Sequence, residues 1–222
     1  MKYVITIARS FGSGGNEVAT KLSKRLCIPV YDREIDALAA EQRGKNEPLF
    51  VGMDDAQRGI LLKETFEKWT FPARVEPAEK FFVPDQSLFD TESQIIGELV
   101  KSFSCIIVGK AAAYVLHGFP NVASFFVTAQ RKDCVRLVAQ RMGVDQKEAG
   151  RLIDMTDKYR ADHYRFYSHG KEWADSTEYD LVLNTSRIGQ DRCVDTIIAF
   201  LAVKFGSAFN ERPAEPLQEG LE

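Results

Sequence analysis

Residues 4–26, V-I-T-I-A-R-S-F-G-S-G-G-N-E-V-A-T-K-L-S-K-R-L, constrain this chain more than any other stretch. Residues 3–7 are short, apolar and largely β-branched, the pattern of a strand buried on both faces. Gly12, Gly14 and Gly15 follow, permitting dihedrals closed to other residues and letting backbone N–H groups approach a ligand closely. From Glu17 onward Val18, Leu22 and Leu26 recur every four residues, which gives a helix one apolar face. Free N–H groups at that helix start, with the positive end of its dipole, favour an anion. The pattern G-x-x-x-x-G-K-[ST], laid on the chain, falls on Arg9, Gly14, Gly15 and Asn16. Arg9 replaces the first glycine, Gly15 the lysine, and Asn16 the hydroxyl residue. The ammonium that would reach the β- and γ-phosphates is missing, and Arg9 is the candidate substitute from the other end of the loop. The bland alternative is a tight turn with Arg9 in solvent; the pattern favours an anion site.

A chain of 222 residues suits one domain, or one core domain with an inserted subdomain. Its net charge of −3 argues weakly against a broad nucleic-acid surface, while leaving room for a local basic cleft. No apolar run reaches the length of a membrane span, and the start of the chain carries no signal-peptide pattern. Cys27, Cys105, Cys134 and Cys193 are too scattered to suggest a zinc site or a disulfide framework. Cytoplasm is the expected location.

Strand-like segments recur at 3–7, 105–108, 123–127 and 181–183, with a further short one at 28–31. Helical stretches follow at 110–116, 132–142 and 191–205. This alternation is the signature of βαβ units on a parallel sheet. Two regions interrupt it. Residues 34–101 hold helical pieces at 56–69 and 91–101 without a convincing strand, and 145–169 is helical, charged and rich in Tyr. Insertions of this kind in α/β folds often cover the ligand, which binds beyond the carboxyl ends of the strands. The tail at 212–222, with Pro and several Glu, reads as disordered. There is no internal repeat.

Three further segments complete a set: I-P-V-Y-D-R-E at 28–34, I-I-V-G-K-A-A-A-Y-V-L at 106–116, and the run 157–189 from D-K-Y-R to S-R-I-G. Together with I-T-I-A-R-S-F-G-S-G-G-N-E, in this order and spacing over residues 1–205, they resemble the bacterial cytidylate kinase-like family. Its members carry S-x-x-F-G-S-G-G-style loops in place of G-K-[ST]. The resemblance implies a P-loop kinase fold: three-layer α/β/α with a parallel central sheet, a helical acceptor-binding insertion and a helical lid. The expected division is a domain over 1–206, with its core at 1–31 and 102–206, the insertion at about 32–101, the lid at about 145–170, and a disordered tail over 207–222. It also implies transfer of the ATP γ-phosphoryl group to CMP, dCMP or a related acceptor, with Mg²⁺. A catalytically weak or inactive protein binding a nucleotide or another phosphorylated ligand on the same scaffold is the alternative.

Phosphoryl transfer depends on positioning and on neutralising negative charge, so the cations matter most. Arg160 stands in D-x-x-D-x-x-R with Asp154 and Asp157, and the resemblance makes it a lid arginine oriented by Asp157. Spacing alone also fits a surface ion-pair stripe. Arg165 is a second candidate. Lys110, in V-G-K, stands where relatives carry V-G-R and hold the acceptor phosphate; a lysine keeps the charge and loses the bidentate fork. Asp32, with Arg33, opens the insertion and either meets the acceptor or caps the next helix. Gln94 would face the acceptor or support the core. Gly12, Ser13, Gly14, Gly15 and Asn16 form the nucleotide loop. Asn184 and Thr185, with Ser186, lie near the adenine in relatives, although such residues also make turns and caps. Ala113 and Cys134 depart from an Asp and an Arg of relatives, leaving Arg136 or Arg141 to compensate. Tyr164, Tyr167, His169 and Trp173 form an aromatic run better read as packing than as base stacking. No structural metal is expected; Mg²⁺ would arrive with phosphates, with Asn16 offering an amide oxygen.

Overall fold

The computed structural model describes residues 1–42, 49–50, 52–68, 77 and 81–210. Its strands are β1 (Val4–Arg9), β2 (Val30–Tyr31), β3 (Cys105–Val108), β4 (Val122–Thr128) and β5 (Leu181–Asn184). They pair in the order β2-β3-β1-β4-β5, every pair parallel. The helices are α1 (Gly15–Leu26), α2 (Arg33–Gln42), α3 (Asp55–Glu67), α4 (Gln86–Ser102), α5 (Ala112–Val115), α6 (Arg131–Met142), α7 (Gln146–Tyr167), α8 (Thr185–Phe205) and α9 (Ser207–Asn210).

The period-2 alternation of a strand explains the layering. Ile5 and Ile7 of β1, Ile106 and Val108 of β3, and Phe125 and Val127 of β4 pack on Val18 and Leu22 of α1 and Ile197 and Leu201 of α8. Val4, Cys105 and Ile107 point the other way, onto Ile35 and Leu38 of α2 and Ile95, Ile96 and Leu99 of α4. Both sheet faces are therefore covered, which is why the strands read as continuous apolar runs.

The expected segments are all present, with shifted edges. The short strand expected at 28–31 begins at Val30. The helix expected at 110–116 is only Ala112–Val115, because Gly109, Lys110 and Ala111 take positive φ values of 80°, 58° and 50°. The helix expected from 191 starts at Thr185, but Gly189 breaks it with φ 78° and ψ 161°. The helix expected at 56–69 runs Asp55–Glu67, while Trp69 and the tail at 212–222 lie outside the described residues. Of the disordered tail expected over 207–222, Ser207–Asn210 is instead a short helix, with Phe209 packed on Tyr3 at a ring-centroid distance of 5.4 Å, and 211–222 lie outside the described residues. Among the described residues no helix is long and apolar enough to cross a membrane, and no three His, Cys, Asp or Glu gather as a metal site.

Candidate active site at the carboxyl edge of the sheet

The carboxyl ends of parallel strands are where an open α/β sheet receives ligands. Here β1 ends at Arg9, β2 leads into Asp32, and β3 leads into Gly109 and Lys110. Above them lie two cavities. The smaller, about 330 Å³, is formed by the loop after β1, the start of α1 and Arg141 of α6. The larger, about 800 Å³, lies between the start of α2, the N-terminal half of α4, residues 108–113 and α7. Arg9, Asn16 and Arg160 line both and form the partition between them.

Arg9 is 8% exposed. Its Nε donates to Asn16 Oδ1 at 3.0 Å and its Nη2 to Asp32 Oδ2 at 2.9 Å. To reach them the side chain crosses two glycines. A Cβ at Gly15 would stand 2.5 Å from Arg9 Cβ, and one at Gly109 would stand 2.4 Å from Arg9 Nη1. The missing lysine at position 15 thus has a steric reason: Arg9 fills the space its stem would need.

The loop itself suits an anion. Gly12 and Gly14 have φ values of 79° and 81°, and the α1 N-terminus at Gly14 has no side-chain cap. Gly12 lies tight on α6, where a Cβ would meet Cys134 O at 2.9 Å. Cys134 is therefore packing beneath the loop. Arg136 turns to Asp133 on the exposed side, whereas Arg141 pairs with Glu17 at the rim of the smaller cavity. Ser13 Oγ is buried and has no hydrogen-bond partner among the described residues, and the Ser13 carbonyl accepts from Thr185 Oγ1 at 2.6 Å.

Helix α7 bridges both cavities. Asp154 pairs with Arg131 at 2.8 Å, Asp157 Oδ1 accepts the Phe11 N–H at 2.7 Å, and Arg160 Nη1 donates to the Arg9 carbonyl at 2.9 Å. Asp157 and Arg160 therefore hold the helix on the glycine loop, whereas Asp154, with its side chain largely exposed, pairs across to α6. Burial, with Arg9 close by, brings the Arg160 guanidinium down to about 9, which leaves it charged at neutral pH. Burial pushes the Asp157 carboxyl up, against the opposing pull of the Phe11 N–H and Arg160. On the same helix Tyr159 and His163, one turn apart, face the larger cavity beside Tyr167, Phe82 and Phe89. Burial brings His163 down to about 4, so its ring is neutral.

Lys110 reaches into the larger cavity with its side chain 17% exposed and pairs with Asp36. Burial acts to lower its ammonium, but Asp36, Asp32 and Glu92 outweigh it and hold the pKa above its ordinary value. Its left-handed backbone is the kind of strain that persists where surrounding structure over-determines it. Arg33 also lines this cavity. Arg165 does not; it pairs with Glu172 at 3.5 Å with both side chains largely exposed. Asn184 caps α8 through the Ser186 N–H, and Thr185 braces Ser13, so neither lines the two cavities. Tyr164, Tyr167 and Trp173 do line the larger cavity. Asn16 Oδ1 is engaged by Arg9 and is not presented to a metal in this arrangement.

Asp36 and Glu92 were not singled out by the sequence reading. Glu92 is 5% exposed, and burial together with a hydrogen bond to Asp36 pushes its carboxyl up to about 8, with Lys110 opposing. A signal existed: Glu92 shares the apolar face of Ile95, Ile96 and Leu99, where a charge is out of place. Gln94, on the other face, is exposed.

Residues 4–187 match the cytidylate kinase-like family. No curated protein matches the chain. Among solved structures, an uncharacterized protein from Eubacterium ventriosum is similar, with 24% identity and a TM-score of 0.66 over 95% of this chain and 100% of that one. A gluconokinase from Sinorhizobium meliloti has 12% identity and a TM-score of 0.50 over 96% and 100%. A sugar kinase from Janibacter has 13% identity and a TM-score of 0.50 over 94% and 98%. At such identities the likeness concerns the fold, and the fold is that of P-loop kinases.

Proposed function

The chain belongs to the cytidylate kinase-like family, and on that premise we propose that it is a phosphotransferase working between its two cavities. In this reading ATP lies with its phosphates on the glycine loop and supplies a γ-phosphoryl group, with Mg²⁺ carried on those phosphates. The acceptor presents its nucleophilic oxygen from the larger cavity: a phosphate oxygen in CMP or dCMP, a hydroxyl in an acceptor without phosphate. CMP and dCMP are the acceptors that the family resemblance implies.

The observation that carries the reading is the partition. Two guanidinium groups, Arg9 and Arg160, stand where the cavities meet, which is where charge must be neutralised during transfer. The N–H groups at the start of α1 hold the phosphates, Arg9 takes the part of the absent lysine, and Arg160 brings α7 down over the reacting group. Asp157 positions the loop through the Phe11 N–H. Asp32 positions Arg9 and lies beside the acceptor; where the acceptor atom is a hydroxyl, it is the carboxylate assigned to take the proton. In the balanced step the acceptor oxygen bonds to the γ-phosphorus. The bond from that phosphorus to the β–γ bridging oxygen breaks, and its electron pair leaves with ADP.

One observation favours a second reading, a binding protein without turnover: Arg9 is already held by Asp32 and Asn16. The test is ADP release from Mg·ATP by wild type and Arg9→Ala, alongside ATP binding by both. The phosphotransferase reading predicts acceptor-dependent ADP release that falls about 10²–10³-fold in Arg9→Ala. ATP binding with no ADP release for any acceptor would select the second reading.

A further inference from the structure

Arg9, Arg33, Lys110 and Arg160 line the larger cavity, a set of cations suited to a phosphate monoester. Arg9 is fixed by Asp32 and Asn16, and Arg160 by the Arg9 carbonyl. Lys110 is held differently. Gly109, Lys110 and Ala111 all take positive φ, so the chain turns sharply after β3 and sends the lysine sideways, toward α2 and α4. There its ammonium pairs with Asp36 of α2. Asp36 is the more exposed partner, 46% against 17% for the lysine side chain, so a ligand reaches the carboxylate before the ammonium.

Glu92 of α4, 5% exposed, is hydrogen-bonded to Asp36. A hydrogen bond between two carboxyl groups needs a proton. Burial and Asp36 keep it on Glu92, whose pKa is pushed up to about 8. The three groups therefore carry one positive and one negative charge near neutral pH. The bland reading is a tie between the β3 loop and α2. A partly exposed ion pair contributes little to stability, however, while left-handed backbone at two non-glycine residues costs energy. A tie alone leaves that strain without a return.

We infer that Asp36 occupies the acceptor phosphate's place on Lys110 in the empty protein, and that the acceptor binds by exchange. Its phosphate takes the ammonium, and the displaced Asp36 carboxylate stays on the Glu92 hydroxyl. This rests on the larger cavity being the acceptor site and names what sets its affinity. An acceptor without an anionic group has nothing to exchange and leaves Lys110 closed.

The exchange depends on one proton. Glu92 faces Asp36 from α2, Lys110 after β3, Asp85 before α4, and Tyr159 and His163 from α7. Above about pH 8 it ionises, and a second negative charge then holds Lys110 and opposes the phosphate. Binding of a phosphate monoester should weaken as pH rises through that value.

Calorimetric titration of CMP, dCMP, ribose 5-phosphate and cytidine into the full-length protein, without ATP, tests this. Asp36→Asn should bind the three phosphate monoesters about threefold or more tightly than wild type, with cytidine weak in both. In a Lys110→Met background the same change should bring no gain, which separates exchange from plain repulsion. Asp36→Ala and Lys110→Gln are the companions should either variant fail to fold. Wild-type affinity for CMP should fall about threefold or more from pH 7 to pH 9.5, and Glu92→Gln should abolish that fall. Equal or weaker phosphate binding by Asp36→Asn, the same gain without Lys110, cytidine binding as tight as CMP, or a wild-type affinity independent of pH overturns the exchange. If wild type binds no phosphate monoester, Asp36→Asn must reveal binding, and binding by neither overturns the inference. The titrations need no turnover. Phosphate binding with this pattern but no acceptor-dependent ADP release sinks the phosphotransferase reading and leaves the exchange standing.

Discussion

Arg9 lies across two glycines, and that contact decides what positions 9, 15 and 109 can be. The cation and the glycine of the usual loop have exchanged places, with the charge on the strand and the bare backbone on the helix. Gly15→Lys should therefore destabilise the protein by about 1–3 kcal/mol through overpacking against Arg9. The double variant Arg9→Gly, Gly15→Lys should recover most of that loss and retain ATP binding. Denaturant unfolding of the four proteins in the cycle measures the coupling; additive effects would show that the two positions are independent. Glu92 supplies a second residue-level test. Its folded pKa, about 8, is raised above the ordinary carboxylate value, so its stabilising contribution is complete below about 4.5 and disappears as pH rises through about 8. Replacing it by Gln removes that dependence. The difference in Tm, Glu92→Gln minus wild type, should become more positive from pH 5 to pH 8.5, and a flat difference would contradict the assignment.

Among the elements, the strands were legible because two-sided burial leaves continuous apolar runs, and the helical face at Val18 and Leu22 because its period is simple. Lys110 was legible as a cation at the end of β3, and the structure places it in the larger cavity, but its partner was not legible. Asp36 and Glu92 meet it from two helices, α2 and α4, and pairing across elements leaves no local pattern. Likewise the spacing of Asp154, Asp157 and Arg160 gave one helical face without saying what it faces. The structure brings Asp157 and Arg160 onto the glycine loop, with Asp157 on the Phe11 N–H at 2.7 Å, and turns Asp154 to Arg131 of α6. Asn184 and Thr185 were drawn as nucleotide contacts, and the structure uses them as a cap and a brace, the other reading open to such residues. Asp157→Ala removes the acceptor of the Phe11 N–H and should cost about 1–3 kcal/mol. Hydrogen exchange at the Phe11 amide should accelerate; unchanged protection would mean that α7 does not hold the loop.

At the scale of the molecule, one helix touches both cavities: α7 meets the glycine loop through Asp157 and Arg160 and the larger cavity through Tyr159 and His163. Occupancy of either cavity is thus felt by the same element. The far end of the core closes differently. Phe209 is buried against Tyr3, so the chain contributes to the fold beyond the end of α8. Ending the chain after Gly206 should lower stability by about 1.5–3 kcal/mol, the value of one buried large apolar side chain, read as a lower urea midpoint. An unchanged midpoint would make α9 dispensable. The central claim is that the glycine loop binds ATP through Arg9 in place of a lysine. Calorimetric titration of Mg·ATP into wild type and Arg9→Ala tests it most directly. The account predicts binding by wild type and at least tenfold weaker binding by the variant. No binding by folded wild type, or equal affinity in the two proteins, would contradict it.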